Sequence, residues 1–200
     1  MRQTSFGEND NLWLEGKLAK LRGNKIISQL KKVERFDNIL DLGSGYNAGF
    51  LARLIKFYPG LKKAVGLDLS VAPVSPDKKI ELIATDLNSR LPLSDSSFDV
   101  VTSAASIEHL SDPRLALGEM RRVLRNGGAL FLTTPSRRAK SILEFLKFIG
   151  WLDRTEIEDH KEYFTAASLR RALELAGFDR VKIKTFQLGC NLLAAARKPD

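Results

Sequence analysis

A glycine-rich turn that follows a short apolar run carries the strongest chemical signal in this chain. The run ends at Asp41 and Leu42, the turn contains Gly43 and Gly45, and a helical stretch begins near residue 50. Glycine lets the backbone turn tightly and approach a ligand with no Cβ in the way, and the N-terminus of the next helix offers unpaired amides. The pattern predicts a ligand site at the carboxyl end of a buried strand.

Three carboxylates indicate which ligand would bind there. Asp41, two residues before the first glycine, would match the ammonium group of a ligand. Asp68 follows the second predicted strand, 23 residues beyond Gly45, close to the ~20 expected of a carboxylate that receives both ribose hydroxyls. Asp86 ends the third predicted strand, where it would accept from an adenine amino group, and Leu87 would form an apolar wall for the ring. S-adenosylmethionine combines an ammonium group, a ribose and an adenine.

Two other interpretations of the turn stay open at this point. Gly43, Gly45 and Ala48 satisfy the dinucleotide fingerprint Gly-x-Gly-x-x-Gly/Ala, so an NAD site is one alternative. A plain strand-to-helix turn without a ligand is the other. Asp41 disfavours the NAD site, because a loop that binds a pyrophosphate gains nothing from a neighbouring negative charge.

With these residues the chain resembles the class I S-adenosylmethionine-dependent methyltransferases, and in particular the type 11 methyltransferase domain. The resemblance runs over residues 37–134 and continues over residues 163–178. The matching segments are LDLGSG at 40–45, VGLDLS at 65–70, ATDL at 84–87, LPLSDSSFDVV at 91–101, IEHL at 107–110 with Asp112 and Pro113, and residues 120–130.

The resemblance implies a role for each carboxylate. Asp41 and the loop from Gly43 to Gly45 would hold the methionine moiety, Asp68 the ribose and Asp86 the adenine. The remaining candidate cofactor contacts are Ser44, Leu69, Leu87 and Ser103.

One position departs from the pattern of that family. A third glycine usually stands two residues after Gly45, where this chain has Asn47, and the loop is one residue longer before the helix. Asparagine tolerates a positive φ better than other non-glycine residues, so we expect Asn47 to adopt one and preserve the turn. Cofactor affinity is the property that this departure affects.

The sequence offers fewer candidate catalytic residues than cofactor contacts. Few are needed, because methyl transfer from a sulfonium already has an activated leaving group and depends mainly on the alignment of the two reactants. His109, after the fourth predicted strand, is the candidate base for an acceptor hydroxyl or amine. The alternative is that Glu108 and His109 form a structural pair that caps the next turn. His160 lies among charged residues and is expected to be exposed. Two histidines and the single Cys190 predict no metal site.

The elements that must position these residues follow from the apolar pattern. Short apolar runs at residues 38–42, 64–68, 80–84, 98–102 and 129–133 predict buried strands, and residues 50–57 and 116–124 predict helices between them. Near the C-terminus, Thr165 is the predicted N-cap of a helix that Gly177 ends. Two further runs, at 181–186 and 191–196, predict a hairpin that turns at Gly189 and Cys190. The fold class predicted is α/β, a doubly wound, Rossmann-like, mostly parallel seven-stranded sheet that ends in an antiparallel hairpin.

Length and composition fit a single domain. The chain has 200 residues with 44% hydrophobic and 28% charged residues, which excludes disordered and collagen-like proteins. We find neither a membrane-spanning run nor a secretory signal, so we expect a cytoplasmic protein. The net charge of +8 leaves an anionic membrane surface or a nucleic acid open as a partner, although a solvated basic surface explains it too.

The additions to the sheet suggest where an acceptor binds. Residues 1–36 predict a helical extension of one or two helices, interrupted at Gly16 and Gly23, and residues 136–163 predict a substrate-side insertion. Within the insertion, the apolar residues from Ile142 to Trp151 predict a lid, an interfacial helix on a membrane surface or a packed helix of the fold. We therefore expect a small-molecule acceptor, lipid-like or sugar-linked. The alternatives are an RNA methyltransferase and a non-catalytic nucleotide-binding subunit.

Overall fold

The computed structural model describes residues 12–139 and 163–200. The helices are α1 (Leu12–Leu30), α2 (Gly49–Phe57), α3 (Pro113–Val123) and α4 (Ala166–Leu175), with a 3-10 turn at Ile107–His109. The strands are β1 (Asn38–Leu42), β2 (Lys63–Asp68), β3 (Ile80–Ala84), β4 (Phe98–Ala104), β5 (Leu124–Pro135), β6 (Asp179–Phe186) and β7 (Asn191–Arg197).

The seven strands form one sheet in the order β3-β2-β1-β4-β5-β7-β6. β1 pairs in parallel with β2 and β4, and the pairs β2–β3 and β4–β5 are also parallel. β7 runs antiparallel to both β5 and β6. The predicted fold class is confirmed, and the strand order reverses between β1 and β4, where ligands of such sheets bind.

Apolar layers cover both faces of the sheet, which explains why the parallel strands read as continuous apolar runs. Successive side chains of a strand point to opposite faces, so Ile39 and Leu40 of β1 belong to different layers. Ile39 packs in the layer that α1 and α2 supply, together with Ile26 and Leu54. Leu40 packs in the layer that α3 and α4 supply.

The N-terminal extension is a single helix over its described length, because α1 continues through both glycines. Gly23 marks a close approach to α2. A Cβ built there would lie 3.0 Å from Arg53 Nη2 and 3.1 Å from Phe50 Cδ2. The glycine therefore lets two helices pack closely rather than dividing one.

The C-terminal predictions are confirmed in detail. Thr165 Oγ1 accepts a hydrogen bond from the Ser168 N–H at 3.0 Å, and Ser168 Oγ accepts one from the Thr165 N–H at 2.9 Å. This capping box satisfies two amides at the start of α4. Gly177 follows α4 with φ +84°, as a residue beyond a helix C-terminus commonly does.

Arg122 of α3 fastens the connection between β3 and β4, which has no helix of its own. Its guanidinium donates to the carbonyls of Leu93 and Leu91 at 2.7 and 3.1 Å, and to Glu119 Oε2 at 2.6 Å. Glu119 Oε2 also accepts from the Leu91 N–H at 2.8 Å. Because the Arg122 side chain is 16% exposed, solvent screens these contacts only in part.

Some predictions fall outside the described residues. These are the segments 1–11 and 140–162, which contain the apolar stretch from Ile142 to Trp151 and His160. In the described ranges, no helix is long and apolar enough to cross a membrane. The single-domain organisation and the cytoplasmic location stay predictions.

Replacing Arg122 is expected to destabilise the protein strongly. Arg122→Ala should lower the free energy of unfolding by about 2–3 kcal/mol, because Glu119 and two backbone carbonyls lose their donor in a mostly buried place. The Arg122 hydrogen bond lowers the pKa of Glu119, so the stability that this pair adds is present above the ordinary pKa of 4.5 and is lost as the pH falls. Urea unfolding at neutral and acid pH measures both effects. Arg114→Ala, an exposed change on the same helix, is the control, and equal losses in the two variants would contradict the assignment.

Candidate active site

The loops that follow β1, β2, β3 and β4 all lie at the edge where these parallel strands end, which we call the site edge. Hydrogen bonds join them in a chain. The Thr85 N–H donates to the Asp68 carbonyl at 2.8 Å, and the Ser111 N–H donates to Asn88 Oδ1 at 2.6 Å. These hydrogen bonds hold loops that are far apart in the sequence together along the site edge, and we call the joined loops the rim.

The glycine-rich loop after β1 is fixed against β2. The N–H groups of Gly43 and Ser44 donate to the Leu67 carbonyl at 2.8 and 3.0 Å, and the Gly45 N–H donates to Asp68 Oδ2 at 2.9 Å. A Cβ at Gly43, whose φ is +72°, would overlap Ser106 Oγ. A Cβ at Gly45, with φ +73°, would meet no atom within 4 Å. Gly43 therefore serves packing, whereas Gly45 faces open space in front of the loop.

The expected conformation of Asn47 is wrong. The non-glycine residue with positive φ in this loop is Ala48, at +46°, and Asn47 is exposed. Ala48 directly precedes α2 and packs in the layer between α1, α2 and the sheet. The left-handed residue of this loop therefore lies directly before the helix, where its small apolar side chain is buried.

Asp41 lies buried on β1, and its pKa is raised. Thr102, its register partner on β4, donates from Oγ1 to Asp41 Oδ1 at 2.6 Å. Burial raises the pKa of Asp41 to about 7, the Thr102 hydrogen bond opposes the rise, and the charge of Asp68 adds to it. A nearby cation would favour the ionised form of this carboxyl.

Asp68 ends β2 beside the glycine-rich loop and is half-buried. Burial raises its pKa, while hydrogen bonds from the N–H groups of Gly45, Ser70 and Leu69 lower it. The next side chain, Leu69, is 63% exposed. The Asp68 carboxylate, which accepts hydrogen bonds, therefore lies next to the exposed apolar side chain of Leu69.

Asp86 and Leu87 follow β3 and differ in exposure. Asp86 is exposed and its Oδ1 accepts from the backbone and side-chain amides of Asn88 at 2.9 and 2.8 Å. Leu87 packs in the layer of α3 and α4, with 8% of its surface exposed. The apolar surface open to a ring at this rim is therefore that of Leu69 rather than Leu87.

Two buried hydroxyls near the strand ends have no hydrogen-bond partner among the described residues. They are Ser103 Oγ of β4 and Thr133 Oγ1 of β5. Buried polar atoms are nearly always satisfied, so such atoms mark places where water or a ligand completes the bonding. Ser103 was among the predicted cofactor contacts, whereas Thr133 was not.

The turn Ile107–His109 places an acid and an imidazole at the site edge. Glu108 is fully buried, and its Oε2 accepts from Thr134 Oγ1 at 3.1 Å while Oε1 has no partner in the described structure. Burial raises the pKa of Glu108 to about 7, and hydrogen bonds from its own backbone and Thr134 oppose this. His109 is half-buried beside it. The described residues contain no cluster that would hold a metal ion.

Sequence reasoning missed Thr102, Ser106 and Thr134. Their partners explain why. Thr102 and Thr134 contact carboxylates of other elements, and Ser106 limits Gly43. The one available signal was the polar residues that interrupt two otherwise apolar strands.

Comparison with known proteins identifies the family of this chain. Residues 14–183 match the family described as "Methyltransferase domain". A demethylmenaquinone methyltransferase of Mycobacterium sp. (strain KMS) is 31% identical over 181 residues, which cover 82% of this chain and 76% of the relative. A protein of Mycolicibacterium smegmatis, named "Probable S-adenosylmethionine-dependent methyltransferase", is 32% identical over 141 residues, 68% of this chain. The chain spans about half of that relative, 49% of its length.

The fold also matches solved structures. An S-adenosylmethionine-dependent methyltransferase of Thermotoga maritima superposes with a TM-score of 0.71 at 20% identity, over 94% of this chain and 93% of that one. The matches in sequence and fold, with the glycine-rich loop and its carboxylates in place, show that the chain belongs to the class I S-adenosylmethionine-dependent methyltransferases.

Proposed function

We propose that this protein binds S-adenosylmethionine at the site edge and transfers its methyl group to a small, apolar acceptor. One observation carries the proposal. The glycine-rich loop holds its Gly45 N–H on Asp68 at 2.9 Å, next to the buried Asp41, whose pKa is raised. Two carboxylates and an open backbone turn are thereby gathered within one rim.

The donor and acceptor groups of the rim fit the cofactor piece by piece. An ammonium group near Asp41 would stabilise the ionised carboxylate that burial disfavours. Asp68 would accept from ribose hydroxyls, and the exposed Leu69 would pack on the adenine ring. Asp86, which is exposed directly after β3, would accept from the adenine amino group.

Methyl transfer requires the protein mainly to position the two reactants and to provide a proton acceptor. S-adenosylmethionine supplies a methyl group on a positively charged sulfur that is already activated for displacement. The rim orients the two reactants and excludes water, which contributes much of the rate in such reactions. His109 at the site edge is the side chain proposed to accept a proton from the acceptor.

The acceptor we propose is a lipid-like ring compound. A relative with 31% identity over 82% of this chain is named a demethylmenaquinone methyltransferase, which supports an apolar acceptor over a sugar-linked one. The alternatives of an RNA acceptor and of a non-catalytic nucleotide-binding subunit gain no support from these relatives.

Removing the charge of Asp68 should weaken cofactor binding. Asp68→Asn keeps an oxygen for the Gly45 N–H but loses the charge, so affinity for S-adenosylmethionine should fall at least tenfold, since a hydrogen bond to a charged group contributes about 1.5–3 kcal/mol. Calorimetric titration measures it, with Glu174→Gln as a control in an exposed place on α4. Heat with NAD and none with S-adenosylmethionine or S-adenosylhomocysteine in the wild-type protein would overturn the proposed function.

Binding should release a proton from Asp41 below neutral pH. The free protein keeps this carboxyl protonated up to its pKa of about 7, and an ammonium ligand requires it ionised, so affinity should fall as the pH drops below 7. Titrations in buffers of different ionisation enthalpy count the protons released. Asp41→Asn should bind weakly with no such release, and an equal release from this variant would show that another group titrates.

Loss of the His109 imidazole should slow catalysis without changing cofactor affinity. His109→Ala is expected to lower kcat by about a hundredfold or more, because the acceptor loses the group proposed to take its proton. Methyl transfer to a menaquinone precursor measures kcat, and calorimetry measures the cofactor Kd. An unchanged kcat would assign His109 to structure rather than to proton transfer.

A further inference from the structure

The tip of the β6–β7 hairpin exposes an isolated leucine. Leu188 is 98% exposed, more than any other large apolar side chain in the described ranges. Gln187, Leu188 and Gly189 have φ angles of 51°, 55° and 86°, in the left-handed region. A leucine adopts this conformation at an energetic cost, in a hairpin turn of the kind that uses positive φ.

Side-chain hydrogen bonds hold the tip in this conformation. Ser136 Oγ donates to the Gly189 carbonyl at 2.6 Å, and Asn191 Nδ2 donates to Gln187 Oε1 at 2.6 Å. The Gly189 N–H donates to the Phe186 carbonyl at 3.1 Å. The turn is therefore fastened on both sides, and its leucine points away from the protein.

The tip lies at the site edge. Asn191, the first residue of β7, pairs with Pro135, the last residue of β5, so the hairpin turns where the parallel strands end. Arg137 and Arg138 are exposed next to it, and a Cβ at Gly189 would lie 3.3 Å from Arg138 Nη1. Lys184 of β6 is exposed as well. Two cations therefore lie next to the apolar tip, and Lys184 adds a third positive charge farther along β6, opposite Leu193.

We propose that this hairpin tip, defined as Leu188 with Arg137, Arg138 and Lys184, docks the site edge on an anionic lipid bilayer. The inference rests on the proposed function, because a lipid-like acceptor would reach the site from the bilayer. An apolar side chain in the interface and cations at the headgroups are the two contributions that bind peripheral proteins to such membranes.

The position of the tip argues for this occupant. A single leucine flanked by cations is too small an apolar area for a stable protein interface, whereas one inserted side chain and a few charges suit a reversible membrane contact. Leu175 is also exposed, at 69%. It ends α4, close to the start of β6 and therefore toward the opposite edge of the sheet. This leucine supplies a matched control.

Sedimentation of the full chain with vesicles tests the inference. The wild-type protein should bind vesicles of phosphatidylcholine mixed with phosphatidylglycerol, and bind less at high salt. Leu188→Asn retains a residue that tolerates the left-handed region and should lower binding about tenfold. Leu188→Trp should raise binding, and Arg138→Gln should lower it about fivefold on anionic vesicles but not on pure phosphatidylcholine.

Leu175→Asn should bind vesicles as the wild type does. Equal losses for Leu175→Asn and Leu188→Asn, or no vesicle binding by the wild-type protein, would overturn the docking inference. Methylation of a quinone acceptor in detergent is measured in parallel. Activity in detergent without vesicle binding would refute docking and leave the proposed function intact, whereas absence of S-adenosylmethionine binding would refute the proposed function itself.

Discussion

The hydrogen bond from the Gly45 N–H to Asp68, 2.9 Å long, is the contact on which the arrangement of the site depends. It forms because Gly43 and Gly45 both take positive φ, which turns the chain sharply after β1 and directs an amide toward the end of β2. The bond thereby joins the loop after β1 to the end of β2, so that the two form one continuous part of the site edge. The same bond restrains the Asp68 carboxylate, which is the group proposed to accept from the ribose.

Buried carboxyl groups are the second feature of this rim. Asp41 and Glu108 are both almost fully buried, and burial raises the pKa of each to about 7. Ionising a carboxyl in such surroundings is costly. A side-chain hydroxyl donates to each carboxyl, from Thr102 to Asp41 and from Thr134 to Glu108, and opposes the rise in its pKa. Buried carboxyl groups with raised pKa values cluster at functional sites, because a positively charged ligand can stabilise their ionised form or they can take part in proton transfer.

The fold was largely predictable because its signals are local. Apolar runs bounded by turn residues located all seven strands, and Thr165 and Gly177 marked the start and end of α4. The interruption expected at Gly16 and Gly23 was uninformative, since α1 continues through both glycines. A glycine that permits close packing and one that breaks a helix look alike in sequence, because the difference lies in a neighbouring element such as α2.

The sequence by itself determined the class of fold, the glycine-rich loop and the carboxylates after β2 and β3, because strand periodicity and short motifs are properties of adjacent residues. Only the tertiary structure decided that Ala48 rather than Asn47 takes the left-handed conformation, since burial of a small side chain against α1 and the sheet selects it. It also decided that Leu87 packs in the core while Leu69 stays open. The exposure of Leu69 and Leu87 and the pKa of Asp41 depend on which distant segments pack around each residue. No local sequence pattern encodes that packing.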